Sequence, residues 1–215
     1  MCNGRWRVTT FLSAGLLAAL LPLARSGDPL SVSLFAAEHP QLVVHVADYA
    51  HVAAQDLRAT QGAVAHAFTR IGVDIDWRFD NGEREPASQA RHITVVLMND
   101  TMQAIRVARG AVQPTTLGTA AAAASRIYVF FPRVVGVAIE ERVPVASPLS
   151  QVIVHELGHI LLRNGHGDFG IMRHQLPKQG IISFDQFTAA DGVRIRAALE
   201  PVVPPRKADH VLAAR

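Results

Sequence analysis

An α/β domain built on a mixed sheet is what this sequence predicts, and three observations predict it. Candidate elements between 41 and 98 run in the order strand, helix, strand, strand. One of them, His92 to Met98, is a nearly continuous apolar run, the pattern of a central strand covered on both faces. Apolar residues make up 49% of the 215 positions, enough to bury a sizeable core.

Leu42, Val43, Val44 and Val46 predict a strand over 41–47. From His51 to Ile71 the residues Val52, Leu57, Val64, Phe68 and Ile71 supply the apolar stripe of a helix, which Gly72 ends. Val73, Ile75 and Trp77 then alternate with Asp74, Asp76 and Arg78, as in a strand with one wet face. Asp80 to Ala90 reads as a polar loop, Met102 to Arg109 as a short helix, and Pro114 to Ala124 as a small-residue loop. Arg126 to Phe131 predicts another strand, ended by Pro132, and Glu140, Glu141 and Arg142 read as a solvated connector. Ser147-Pro148 has the form of an N-cap with proline at the first helical position, opening a helix to about Arg163. Asn164-Gly165 supplies the left-handed residue to stop it. A last helix is expected over Phe184 to Leu199, with a Pro-rich tail at 201–215.

The formal net charge of +3 is unevenly placed. Of 21 Lys and Arg residues, Arg5, Arg7 and Arg25 fall in the first 26 positions, which hold no acid; the remaining 18 balance the 18 Asp and Glu. A neutral body without a basic cluster argues against a nucleic-acid partner. The first 26 residues have the plan of an export signal: two arginines, an apolar run from Phe11 to Ala24, and Ala24-Arg25-Ser26 before Gly27. That run, about 14 residues, is short of the ~20 that span a bilayer. The expectation is an exported protein, periplasmic or secreted, with residues 27–200 as its domain and no stable membrane association after the signal is removed. Cys2, the one cysteine, leaves with the signal, so the mature chain has no intramolecular disulfide and must be held by its core, with a metal as the other available support.

Within the helix ending near Arg163 lies His155-Glu156-Leu157-Gly158-His159, an H-E-x-x-H match. Histidines four apart project from one face a turn apart and can hold one ion, while Glu156, about 100° round the helix from His155, can reach a water on that ion. His155, Glu156 and His159 are the ionisable residues between Gln151 and Leu162, in an otherwise apolar segment, and buried ionisable groups need a compensating partner. His166 follows a turn at Asn164-Gly165 and can return a third imidazole. Met172 lies six residues on, in Gly170-Ile171-Met172.

These residues resemble the metzincin zinc peptidases, whose pattern is H-E-x-x-H-x-x-G-x-x-H followed by a Met-turn, and among them small archaemetzincin-like bacterial members. The resemblance covers about 18 residues, and the element order from Gln41 to Leu199 suits it. It implies a mixed sheet with an edge strand over an active-site helix, a Met-turn and a C-terminal helix. It also implies zinc held by His155, His159 and His166, Glu156 as catalytic base, and Met172 as the Met-turn methionine. Three departures stand out. Leu162 occupies the family's glycine position, and the third histidine comes one residue late, leaving Gly165 to make the turn. His174 stands where some members carry tyrosine two residues past the methionine, either as a donor to a developing oxyanion or as an ordinary loop histidine. Asp168 or Asp191 would be the third ligand in an Asp-ligand zincin.

Three neutral imidazoles leave an open position on zinc, and that geometry marks a catalytic site. The expected reaction is peptide-bond hydrolysis on a peptide or protein substrate by a monomeric enzyme, with Glu156 moving the proton. A metal-stabilised binding protein without activity is the competing reading. For an extended substrate, Ile127, Tyr128, Val129 and Phe130 are the candidate edge strand by β-augmentation, or else an internal strand that fills the core.

Overall fold

The computed structural model describes residues 39–79, 90–110, 113, 115–163, 165–174 and 186–200, all within one unit, Ala37–Arg215. The expected export signal at 1–26, the tail at 201–215 and residues 184–185 of the expected last helix lie outside them. No helix among the described residues is long and apolar enough to cross a membrane.

The fold is α/β, with a five-stranded mixed sheet and five α-helices among the described residues. The strands are β1 (Gln41–Asp48), β2 (Asp74–Phe79), β3 (Arg91–Met98), β4 (Gly118–Ala121) and β5 (Arg126–Phe130), in spatial order β2-β1-β3-β5-β4. All neighbours are parallel except β4, which runs antiparallel to β5 with Thr119 opposite Tyr128. The helices are α1 (Ala54–Thr69), α2 (Asp100–Ala108), α3 (Phe131–Glu141), α4 (Ala146–Leu162) and α5 (Ala189–Leu199).

Alternation along the strands decides what each sheet face does. Leu42, Val44 and Val46 of β1, Ile93, Val95 and Leu97 of β3, and Ile127 and Val129 of β5 join one core with α1 and α4. Each such side chain, fully buried, contributes about 1.5–3 kcal/mol. The opposite face carries a smaller cluster of Val96, Met98 and Phe130, against which Met102 of α2 packs. His45 and His92 share that face with Nε2 and Nδ1 2.9 Å apart, one ring donating N–H to the other. Although 47 residues separate them in sequence, the pairing of β1 with β3 joins them.

Several expectations are corrected. The segment 126–130 is not the sheet edge: β5 lies between β3 and β4, and Ile127, Val129 and Phe130 are wholly buried. The edge on that side is β4, inside the stretch that read as a small-residue loop, and the opposite edge is β2. The 140–142 connector is the end of α3, whose first turn holds Pro132 where its missing N–H costs nothing. Helix α4 opens at Ala146, so Ser147 lies inside its first turn and does not cap it. The left-handed residue that stops α4 is Arg163, at φ 53, in place of Gly165.

Candidate metal centre

Helix α4 is buried along most of its length and delivers His155 and His159 from one face, a turn apart. Past Arg163 the chain carries His166 and then turns, where Gly167 N donates to Met172 O at 2.7 Å and closes the 167–172 loop that follows it. The structure therefore brings together the three histidines predicted to do so. One nitrogen from each of His155, His159 and His166 lies within 4.8 Å of the others, close enough to hold a metal ion. His155 is buried, His159 half-buried and His166 exposed, so the cluster opens to solvent on the His166 side.

The orientation of His155 follows from its neighbour. Its Nδ1 lies 2.7 Å from Ile171 O, and a carbonyl only accepts, so Nδ1 carries the proton and Nε2 keeps the lone pair. That Nε2 faces His159 Nε2 at 3.0 Å. Two nitrogens bound tetrahedrally to one zinc stand about 3.3 Å apart, so the spacing fits a shared ion. The rings of His155 and His159 meet edge-on at 4.6 Å, and that of His166 stacks on His155 at 5.2 Å. Burial, the nearby imidazoles adding to it, holds His155 down to a pKa of about 4 against the tempering of the Ile171 bond. Burial and the same neighbours lower His166 as well. Both shifts favour the neutral, ligating form of His155 and His166.

Glu156 is 6% exposed, and burial alone lifts its carboxyl to a pKa of about 8. Strand β4 passes directly against it. A Cβ at Gly118 would stand 2.8 Å from Glu156 Cγ and 2.9 Å from its Oε1, so a glycine there lets the edge strand close over the carboxylate. Beneath the histidines, Met172 is buried in a single 3₁₀ turn, Gly170–Met172, and its sulfur packs on Gly158 of α4. Phe187, ahead of α5, backs the same contact.

His174 is exposed, with its ring 4.6 Å from that of His166, at the margin of the cluster and outside the ligating set. Asp168 is exposed and likewise outside that set. Asp191 is also outside that set and serves the helix end: its Oδ2 accepts from Thr188 Oγ1 at 2.7 Å and Thr188 N at 3.2 Å, completing the capping box of α5. Sequence reasoning missed the contact of Gly118 with Glu156, Gly158 as the seat of the methionine, and the Ile171 carbonyl. Of these only Gly158 carried a signal, a glycine inside an apolar helix, where it is intrinsically unfavourable.

No protein-family model matches the chain, and no curated protein matches it.

Proposed function

We propose that the chain is a zinc-dependent peptidase of metzincin type, hydrolysing peptide bonds with Glu156 as general base. The observation that carries this reading is the convergence of His155, His159 and His166 beside a buried glutamate. Three imidazoles and no thiolate suit zinc with an open position, and would also accept cobalt, nickel or ferrous iron. When bound, the ion supplies Lewis acidity to a water and to the carbonyl under attack.

The protein's own groups do the rest. His155, oriented by Ile171 O, and His159 are fixed on a rigid helix, so the site is held before substrate arrives. Glu156 takes a proton from the attacking water and delivers it to the leaving amine. Its burial supports that role, because a carboxylate raised towards neutrality holds a proton long enough to pass it on. A dication beside it would pull its pKa back down. His174, with its ring 4.6 Å from that of His166, is the candidate donor for a developing oxyanion.

Substrate is best seated by β4. It is the last strand of the sheet, antiparallel to its neighbour, and Gly118 touches the general base. An extended peptide adding to that edge would lie across Glu156 through main-chain hydrogen bonds. The small side chains of Gly118, Thr119, Ala120 and Ala121 leave the approach open.

The test is to measure bound metal in the purified protein and to compare digestion of an unbiased peptide library by the wild type and by Glu156→Gln. Retained metal with cleavage lost by about 10²- to 10⁴-fold in the variant supports the reading. Retained metal without wild-type cleavage points to the metal-stabilised binding protein. Absence of bound metal overturns both.

A further inference from the structure

A cavity that is an open surface depression, with about 390 Å³ of space, lies where the last turns of α4 and α5 meet the start of β3, and none of its lining residues is a metal-site histidine or Glu156. Three arginines line it, one from each element: Arg91 at the start of β3, Arg163 at the end of α4 and Arg194 from α5. Leu161, Leu162 and Ala197 contribute apolar wall, and no carboxylate among the described residues lines it.

Among the described residues, two of the three guanidinium groups are incompletely matched. Arg91 buries its Nε with no hydrogen-bond partner among the described residues. Arg194 meets Asp191 at 3.8 Å, long for a charge-assisted bond, and the cap of α5 already engages that carboxylate. Like charges around one concavity repel, and a buried donor without an acceptor is costly. A guanidinium also presents its donors as a planar fork that matches an oxyanion. We propose that this cavity is an anion-binding site that takes a small oxyanion, a phosphate or a carboxylate, between Arg91, Arg163 and Arg194.

Arg163 extends the consequence to the metal centre. It is the left-handed residue that ends α4, three positions before His166. An anion joining Arg163 to Arg91 and Arg194 fastens that exit to the sheet and to the last helix. Anion binding and metal retention then favour each other, because coupling between sites is reciprocal. This coupling rests on the metal-centre reading; the anion site does not.

The experiment titrates inorganic phosphate, and separately a blocked triglutamate peptide, into metal-free full-length protein by calorimetry at constant ionic strength, with chloride as control. Saturable one-to-one binding is expected for at least one of them, weakened at least about tenfold by Arg91→Gln and by Arg194→Gln. Binding of phosphate alone assigns the site to a free oxyanion, and binding of triglutamate alone to an acidic side chain of a peptide. Failure of both to saturate, or binding indifferent to both substitutions, overturns the proposal. Should a Gln variant not fold, Arg→Lys at that position keeps the charge, removes the fork, and is expected to bind more weakly than wild type. Zinc affinity at matched free zinc is expected to rise with the anion bound in the wild type and not in Arg91→Gln. An unchanged affinity removes the coupling and leaves the anion site standing.

Discussion

Gly158 is where the 3₁₀ turn Gly170–Met172 meets the helix that carries the histidines. A Cβ there would overlap Met172 Sδ and stand 3.1 Å from Phe187 Cε1, in a region with both residues buried. Alanine is the better helix former by about 1 kcal/mol, but overpacking costs about 1–3 kcal/mol. The displaced methionine adjoins Ile171, whose carbonyl orients His155. Gly158→Ala is therefore expected to lower zinc affinity by about tenfold, the range for disturbing a ligand's hydrogen-bond partner, with a net stability loss of no more than about 2 kcal/mol. Zinc titration beside thermal melts checks this, and an unchanged affinity would refute it. At this scale the site was legible wherever chemistry depends on side-chain type and spacing. His155, His159 and His166 come together as their spacing predicts. The Ile171 carbonyl was not legible, since every residue has one. Gly118 was not, because its reason is a neighbour 38 positions along the chain.

Among the elements, β4 matters most to the proposed activity and was the hardest to foresee. Gly and Ala are poor strand formers, and Gly118-Thr119-Ala120-Ala121 has no apolar alternation. Contact with α4, where Val152 and Glu156 crowd Gly118, and pairing with β5 make it a strand. Pro132 misled in the other direction: a proline that ends a strand can equally open a helix, and Val134 and Ala138 at helical spacing are the buried residues of α3. β5 was foreseen as a strand, yet its place in the sheet depends on whether a neighbour exists beyond it, which its own residues do not encode. The segment that leads into β4 is held by Arg133 of α3. Its Nη1 donates to Gln113 O at 2.8 Å and Thr116 O at 2.7 Å, and its guanidinium lies 4.8 Å from the Phe130 ring centroid. Phe130 N also donates to Leu117 O, joining the same segment to β5. Arg133→Ala should cost about 2 kcal/mol of stability. If β4 seats substrate, the variant raises KM more than it lowers kcat, and Arg133→Lys recovers part of the loss. A fall confined to kcat would place the substrate elsewhere.

For the molecule as a whole, the buried groups of the metal centre set how stability responds to pH once the metal is chelated away. His155 drops from an ordinary 6.5 to about 4, so between those values the unfolded chain binds the extra proton and stability rises with pH. His166 is lowered too and acts in the same direction. Glu156 rises from 4.5 to about 8, so across that window the folded chain holds the extra proton and stability falls as pH rises. From 4.5 to 6.5 the two slopes oppose and largely cancel. From 6.5 to 8 Glu156 acts alone, at about 1.4 kcal/mol per pH unit, so the chelated protein is expected to lose about 2 kcal/mol over that interval. For a domain of this size that is a fall in Tm of roughly 4–8 °C. Metal should abolish the decline, because a dication beside Glu156 favours the ionised form that burial disfavours. Glu156→Gln should abolish it without metal, leaving only the rise between pH 4 and 6.5 that the histidines produce. Melts at pH 5, 6.5 and 8, with and without chelator, separate these cases. A decline above pH 6.5 that persists in Glu156→Gln would assign it to another group and remove the buried glutamate as the origin of the pH response.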